Sequence, residues 1–224
     1  MSALVLIGAV AATTATATAA YATPGRAAGT DRAATADNRD NRRCHVQSLV
    51  GNGGFETPMA PANPGWFLTP GGGPVVWRTD DPQNSVELWG PQMGVPAFDG
   101  QQFAEINATA IDTIYQDVPT VPGTWVLWRL AHRARDTTAG VDIDKMQVLV
   151  GAPAGPWTPQ RPFGQFQPTI ASTDRAWHVR VGRYFVPPGQ TVTRFAFQAL
   201  SGPPSYGNLL DGVVVLGVAC RPRR

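Results

Sequence analysis

Lysine is almost missing from this chain. Lys145 is the only one, and the rest of the positive charge is arginine. Over 224 residues, 18 Lys+Arg face 16 Asp+Glu, a formal charge of +2. No basic run is interleaved with aromatic residues. Without a strong positive field or such a run, nucleic acid is excluded as the expected partner. Cysteine is scarce too, with Cys44 and Cys220 alone. Two lone cysteines argue against a cysteine metal site. A long 3.6-residue hydrophobic period is absent beyond the N-terminus, and Gly 24 and Pro 21 are high. Both features argue against a helical architecture. There is no Gly-x-Ser-x-Gly elbow and no His-Glu-x-x-His, so those two routes to hydrolysis lack their sequence signatures.

What is present begins with an export signature. Leu4 to Ala12 is apolar, an Ala/Thr tract follows, and Ala20-Tyr21-Ala22 fits small-x-small cleavage after Ala22. No Lys or Arg precedes the apolar run, which departs from the usual signal. The run is too short to span a bilayer comfortably. Residues 1–22 are read as a signal peptide and 23–43, rich in Ala, Thr, Asp, Asn and Arg, as a disordered linker. One domain is then expected over 44–224, in a secreted, extracellular protein with no membrane span after signal removal. Cys44 and Cys220 bracket that domain. In an exported chain such a pair reads as a disulfide joining first and last strands, the other reading being two free thiols. Closing so long a loop would stabilise the fold by roughly 5 kcal/mol in the chain-entropy model.

Within the domain, short apolar runs alternate with turn chemistry. Val46 to Phe55 holds a first strand and a glycine-rich turn, and Val75-Val76-Trp77 reads as a strand. Ser85 to Trp89 puts Val86 and Leu88 on one face. Phe103 to Asn107 puts Ala104 and Ile106 on one face and Phe103, Glu105 and Asn107 on the other. Ile114 to Val118, Trp125 to Arg135, Val141 to Val150, Ala176 to Val186, Thr191 to Leu200 and Leu209 to Val218 complete the strands. Gly151 to Thr169 reads as one long Pro/Gly loop, a length usually functional or mobile. Such a pattern predicts an all-β antiparallel sandwich.

Three stretches carry a resemblance. Asn52-Gly53-Gly54-Phe55-Glu56 resembles the N-G-x-F-E opening of galactose-binding-domain-like jelly rolls, a group that includes many carbohydrate-binding modules. Asp117 to Gly123 resembles their turn before a central strand. Asn208 to Val213 resembles the D-x-V of their final strand. Within the group, Phe103 to Asn107, Tyr115-Gln116-Asp117 and Ala131 to Arg135 look like modules of large bacterial surface proteins. The resemblance spans Leu49 to Val218. Ala134 stands where that pattern tends to have glycine, and Gly212 where it often has an acid or amide. No repeat like those of the multidomain surface proteins is visible. The resemblance implies a jelly roll that binds extracellular glycan or a cell-surface polymer without catalysis. It also implies a structural calcium, with Glu56 and Asp211 as carboxylate ligands among about six to eight oxygens. Both residues could equally be strand-end polar groups.

Candidate site residues fall into two sets. His132, Arg133 and Arg135 crowd one strand end, and Glu105 on the Phe103 to Asn107 run is grouped with them. They form either an ion network closing the sandwich, the favoured reading, or a ligand site. In the network reading the arginines, Arg133 and Arg135 among them, pair with carboxylates such as Glu105. Trp77, Trp89, Tyr115 and Trp157 lie near turns and are candidates for exposed sugar-stacking surfaces, whereas Trp128 reads as core. Glu87 with Glu105 could serve a paired-carboxylate glycosidase, but nothing in the spacing selects them. The sequence therefore points to a binding module rather than an enzyme. A structural or adhesive module without a small ligand is the alternative, and a secreted hydrolase comes third.

Overall fold

The computed structural model describes residues 42–135, 144–202 and 204–222. The expected signal peptide, nearly all of the expected linker and the turn after Arg135 lie outside the described residues. Thirteen strands are assigned: β1 (Arg42–Ser48), β2 (Trp66–Pro70), β3 (Arg78–Thr79), β4 (Ser85–Trp89), β5 (Phe103–Glu105), β6 (Thr113–Pro119), β7 (Trp125–Arg133), β8 (Lys145–Gly151), β9 (Thr158–Gln160), β10 (Ile170–Ala171), β11 (His178–Phe185), β12 (Val192–Ala199) and β13 (Leu209–Pro222). One sheet runs β11-β7-β13-β5-β4-β2, with β1 also on β13; the other runs β10-β8-β12-β6-β3, with β9 on β8. Every pairing is antiparallel. The chain changes sheet at each step from β6 to β8 and again from β11 to β13. Sequence neighbours thus face each other across the core, and the fold is a jelly-roll β-sandwich. Among the described residues no helix is long and apolar enough to cross a membrane.

The inward face of each strand builds one core. Trp77, Phe55, Trp128, Phe195 and Phe197 are fully buried there, with Leu88, Ala104, Ile106, Ile114, Val126, Leu130 and Val148. Trp77 is therefore not a stacking surface, as the sequence suggested. Its ring stacks on Phe55 at 5.3 Å and its indole N–H donates to the Asn52 carbonyl at 2.9 Å. Val76 sits at φ 60 in a turn closed by its N–H on the Gly73 carbonyl. The expected strand over 75–77 is thus displaced to Arg78–Thr79. Trp128 lies against Gly182, its partner across the β7–β11 ladder, where any Cβ would collide with the indole.

The first and last of the three motifs behind the resemblance pack on each other. Asn52 holds the chain's return by accepting from the Thr57 N–H at 3.1 Å and donating to the Val75 carbonyl at 3.0 Å. A Cβ on Gly53 would strike the Val213 carbonyl, so a backbone this close requires glycine. On β13 the register slips between Asp211 and Val214, with Gly212 at φ 55. That left-handed bulge residue explains why glycine stands where the resemblance expects an acid or amide. The long loop expected after Gly151 is shorter in effect, because β9 hydrogen-bonds it back onto β8, Val148 opposite Gln160.

Candidate functional site

The outward face of the larger sheet collects the chemistry. The ladders place Leu68, Glu87, Glu105, Leu209 and Arg133 opposite one another across β2, β4, β5, β13 and β7. One pair along, Trp66, Trp89 and Phe103 form a second row. Side chains directly opposite in a ladder share a face. Trp89, Phe103 and Leu209 make a small second core, separate from the main one. Above it opens a cleft of about 270 Å³, lined by Trp66, Leu68, Glu87, Trp89, Thr109 and Arg135 among others. Trp66 is 39% exposed while Trp89 is 5% exposed. One indole is free to meet a ligand, and the other forms a wall.

Arg135 organises the charge. Its Nη1 donates to both Glu105 oxygens, at 2.8 and 2.7 Å, and to the Ser205 carbonyl at 3.0 Å. The guanidinium lies over the Trp89 ring at 4.6 Å and the Tyr206 ring at 4.0 Å. Glu105, fully buried, also accepts the Gly207 N–H at 2.6 Å. Of the arginines expected to pair with carboxylates such as Glu105, Arg135 does so and Arg133 does not. Arg133 is half-buried beside Asp174 and Arg175, and its Nε has no hydrogen-bond partner.

Two acids sit side by side under the cleft. Glu87 accepts the Trp89 indole N–H at 2.8 Å, and burial pushes its carboxyl up to about 7. Burial first, and the neighbouring Glu87 second, push Glu105 up to about 8 against the pull of Arg135. Only Glu87 lines the cleft; Glu105 lies beneath, engaged by Arg135. Paired-carboxylate hydrolysis needs both acids flanking one bond, and this arrangement offers one.

His132 turns the other way from the arginines, as expected for its strand position. It is fully buried, its Nε2 on Asn208 Oδ1 at 3.0 Å and its Nδ1 on Ser172 Oγ at 2.8 Å. This Ser–His–Asn chain has the connectivity of a nucleophile, base and orienter. Ser172 is only 4% exposed, so the hydroxyl is not offered to a substrate. Burial pulls His132 down to about 4 and keeps the imidazole neutral. Here histidine is a structural hydrogen-bond bridge.

Tyr115 sits on the other sheet, in β6, and Trp157 just before β9 of that sheet. Their rings lie 3.8 and 5.0 Å from the Arg194 guanidinium, which pairs with Asp117 through two 2.7 Å bonds. They are not part of the cleft. The eight sequence candidates thus separate: Trp89 and Arg135 line the cleft with Glu105 beneath them, Arg133 lies farther along the same sheet face, His132 and Trp77 are internal, and Tyr115 and Trp157 flank Arg194 away from the cleft.

Glu56 and Asp211 grip one loop from its two ends. Asp211 Oδ2 accepts the N–H groups of Phe98 and Asp99 at 2.8 and 2.9 Å, and Oδ1 that of Gly212 at 2.6 Å. Glu56 Oε1 accepts those of Gln101 and Gln102 at 2.8 and 3.0 Å. Oxygens aimed at N–H donors are not turned to a shared cation. Among the described residues no group of three or more His, Cys, Asp or Glu is set out as metal ligands. As arranged, this pair does not fit the calcium site that the resemblance implied. The two carboxylates hold the loop over 98–102 through these N–H bonds.

No protein-family model matches the chain, and no curated protein does. Solved structures similar to it include three carbohydrate-binding modules. One is a CBM4 structure (20% identity, TM-score 0.42, covering 74% of this chain and 97% of that one). The second is TmCBM61 in complex with β-1,4-galactotriose (11%, 0.44, 79% and 99%). The third is the CBM22-2 xylan-binding domain of Paenibacillus barcinonensis Xyn10C (8%, 0.45, 77% and 98%).

Trp66, Leu68 and Thr109 were missed as site residues by sequence reading, and Glu87 was noticed only as half of a catalytic pair. A signal existed for two of the cleft residues. Val86 and Leu88 alternate inward, which sends Glu87 and Trp89 outward together. Nothing local shows that β2 pairs with β4 and brings Trp66 beside Trp89.

Proposed function

We propose that this chain is a non-catalytic, secreted carbohydrate-binding module whose ligand lies in the cleft above β2, β4 and β5. The observation that carries the reading is an exposed indole, Trp66, opposite Trp89 and beside Glu87. Sugar rings present C–H faces to an aromatic ring and hydroxyls to polar groups at its edge. Trp66 supplies the first. Glu87, whose Oε1 takes the Trp89 indole N–H, and the Arg135 fork supply the second. The guanidinium is already held by two rings and a carboxylate, so binding costs little further ordering. The resemblance of the opening and closing motifs to galactose-binding-like jelly rolls agrees with this use of the fold. The test is a glycan array probed with the parent and with Trp66→Ala. Retention of a defined set of glycans by the parent, lost in the variant at unchanged melting temperature, is the expected result. An array bare for the parent refutes the proposal.

One observation favours an adhesive role instead. Trp125, Leu127, Phe185 and Leu216 are each 40% to 53% exposed on the outward face at the far end of the same sheet. Light scattering that shows self-association, lost on Trp125→Ser, would support that second reading.

A further inference from the structure

The cleft is walled on three sides, and the walls decide which part of a glycan can enter. Its floor is the outward row of β2 and β4, with Trp66, Glu87 and Trp89. At the Trp89 end stands Met93, in the 3₁₀ turn Pro91–Met93 that follows β4. Gly90, between them, donates its N–H to the Gly65 carbonyl at 2.7 Å, which ties this turn to the start of β2. At the Ser85 end stands Thr109, whose hydroxyl donates to Asp81 ahead of β4. Toward β5 stand Arg135 and Ser205. That wall is held by three bonds. Arg135 Nη1 donates to the Ser205 carbonyl at 3.0 Å, Gly207 N–H to Glu105 at 2.6 Å, and Asn107 Nδ2 to the Tyr206 carbonyl at 3.3 Å. Among the described residues no strand lies beyond β2 in this sheet, and on that fourth side Trp66 and Leu68 are each 39% exposed.

We infer that the cleft takes the terminal sugar of a glycan chain, entering over β2, and rejects internal stretches of the chain. This rests on the proposed reading of the cleft as a glycan site and adds its specificity. A polysaccharide bound by its middle needs a groove open at both ends, and here a chain can leave on one side only. Running along the strands it meets Met93 or Thr109, and running across them it meets Arg135. The volume of about 270 Å³ agrees, since it falls below the roughly 300–1,000 Å³ that encloses a drug-sized ligand. One ring fits inside, and the next rests at the mouth on the exposed indole of Trp66. A terminal ring also carries a free hydroxyl where an internal ring carries a glycosidic oxygen. The hydroxyl can donate to ionised Glu87, whereas an ether oxygen set against it leaves two acceptors facing each other with no proton between them.

Calorimetric titration separates end from middle. The probe is the glycan that the parent retains on the array, with its linear homologues of two to six rings and the long polymer of the same sugar. Every chain offers the same end, so the expected affinity per chain stays within about threefold across the series. One protein is expected on each chain whatever its length. Trp66→Ala should lose binding at every length. Affinity that climbs about tenfold or more from two rings to six, or several proteins on each polymer chain, overturns the inference and leaves the cleft a glycan site. Binding that survives Trp66→Ala places the end elsewhere and also overturns it. An array bare for the parent removes the inference together with the reading beneath it.

Discussion

Removing Arg135 tests the network that floors the cleft. In Arg135→Ala, Glu105 loses both bonds to Nη1 and retains only the Gly207 N–H. Hydrogen bonds to a charged partner contribute about 1.5–3 kcal/mol. The stacking of the guanidinium on Trp89 and Tyr206 adds about 0.5–1 kcal/mol per ring. Breaking a buried pair commonly costs about 3–5 kcal/mol. Here the upper end is not reached, because Glu105 can take up a proton and escape its unpaired charge. Arg135 is also 24% exposed, so water relieves part of the loss. The expected destabilisation is therefore about 2–4 kcal/mol. Urea unfolding of parent and variant, with m-values compared, measures it. Arg133→Ala is the control and should leave stability nearly unchanged, since Arg133 has no bond to Glu105. A loss below about 1 kcal/mol for Arg135→Ala at equal m, or a larger loss for Arg133→Ala, would refute the reasoning.

Acid should stabilise the fold. Glu87 and Glu105 have folded values of about 7 and about 8 against an ordinary 4.5, so the folded state binds more protons across that interval. Their contribution is fully present below about 4.5 and lost as pH rises through 7 to 8. His132, held near 4 against 6.5, opposes them below 6.5, but one imidazole faces four carboxyls raised by burial, Asp112 and Asp211 being the other two. Melting temperature should rise from pH 8 toward about 5, and Glu87→Gln should flatten the slope; a fall in that direction contradicts the assigned shifts. Cys44 stands opposite Cys220 in the β1–β13 ladder, and both antiparallel pair spacings, about 4.5 and 5.5 Å, suit a disulfide. Non-reducing peptide mapping should find the two peptides linked, and free thiols in secreted protein would count against the bond. Trp77→Ala should cost about 3–5 kcal/mol as a core cavity, whereas Trp66→Ala should leave the melting curve unchanged.

Strand existence was legible in the sequence because alternation reports which face is buried. Ser85 to Trp89 was read to the residue, and Thr113–Pro119 and Val192–Ala199 differ from expectation by a residue at each end. The strand over 75–77 was misplaced because Val-Val-Trp has β propensity but follows a glycine run that forms a turn. The site was legible only in part. Phe103 and Glu105 were placed on the right face, and one end of β7 was recognised as polar. Which arginine meets Glu105 depends on the bend after β7, where Arg135 leaves the ladder and swings over Trp89. Trp77 looked like a loop tryptophan because its burial comes from Phe55, 22 residues earlier, at a positive φ of 56 that no local pattern announces.

The most direct measurement of the central claim is shift mapping by NMR with an oligosaccharide retained on the array. The indole N–H signals of Trp66 and Trp89 and the amides around Glu87 and Thr109 should move together and saturate, while those of Trp157 and Trp125 stay in place. Saturating shifts confined to Trp157 and Arg194, or to Trp125 and Phe185, with Trp66 and Trp89 unmoved, would contradict it.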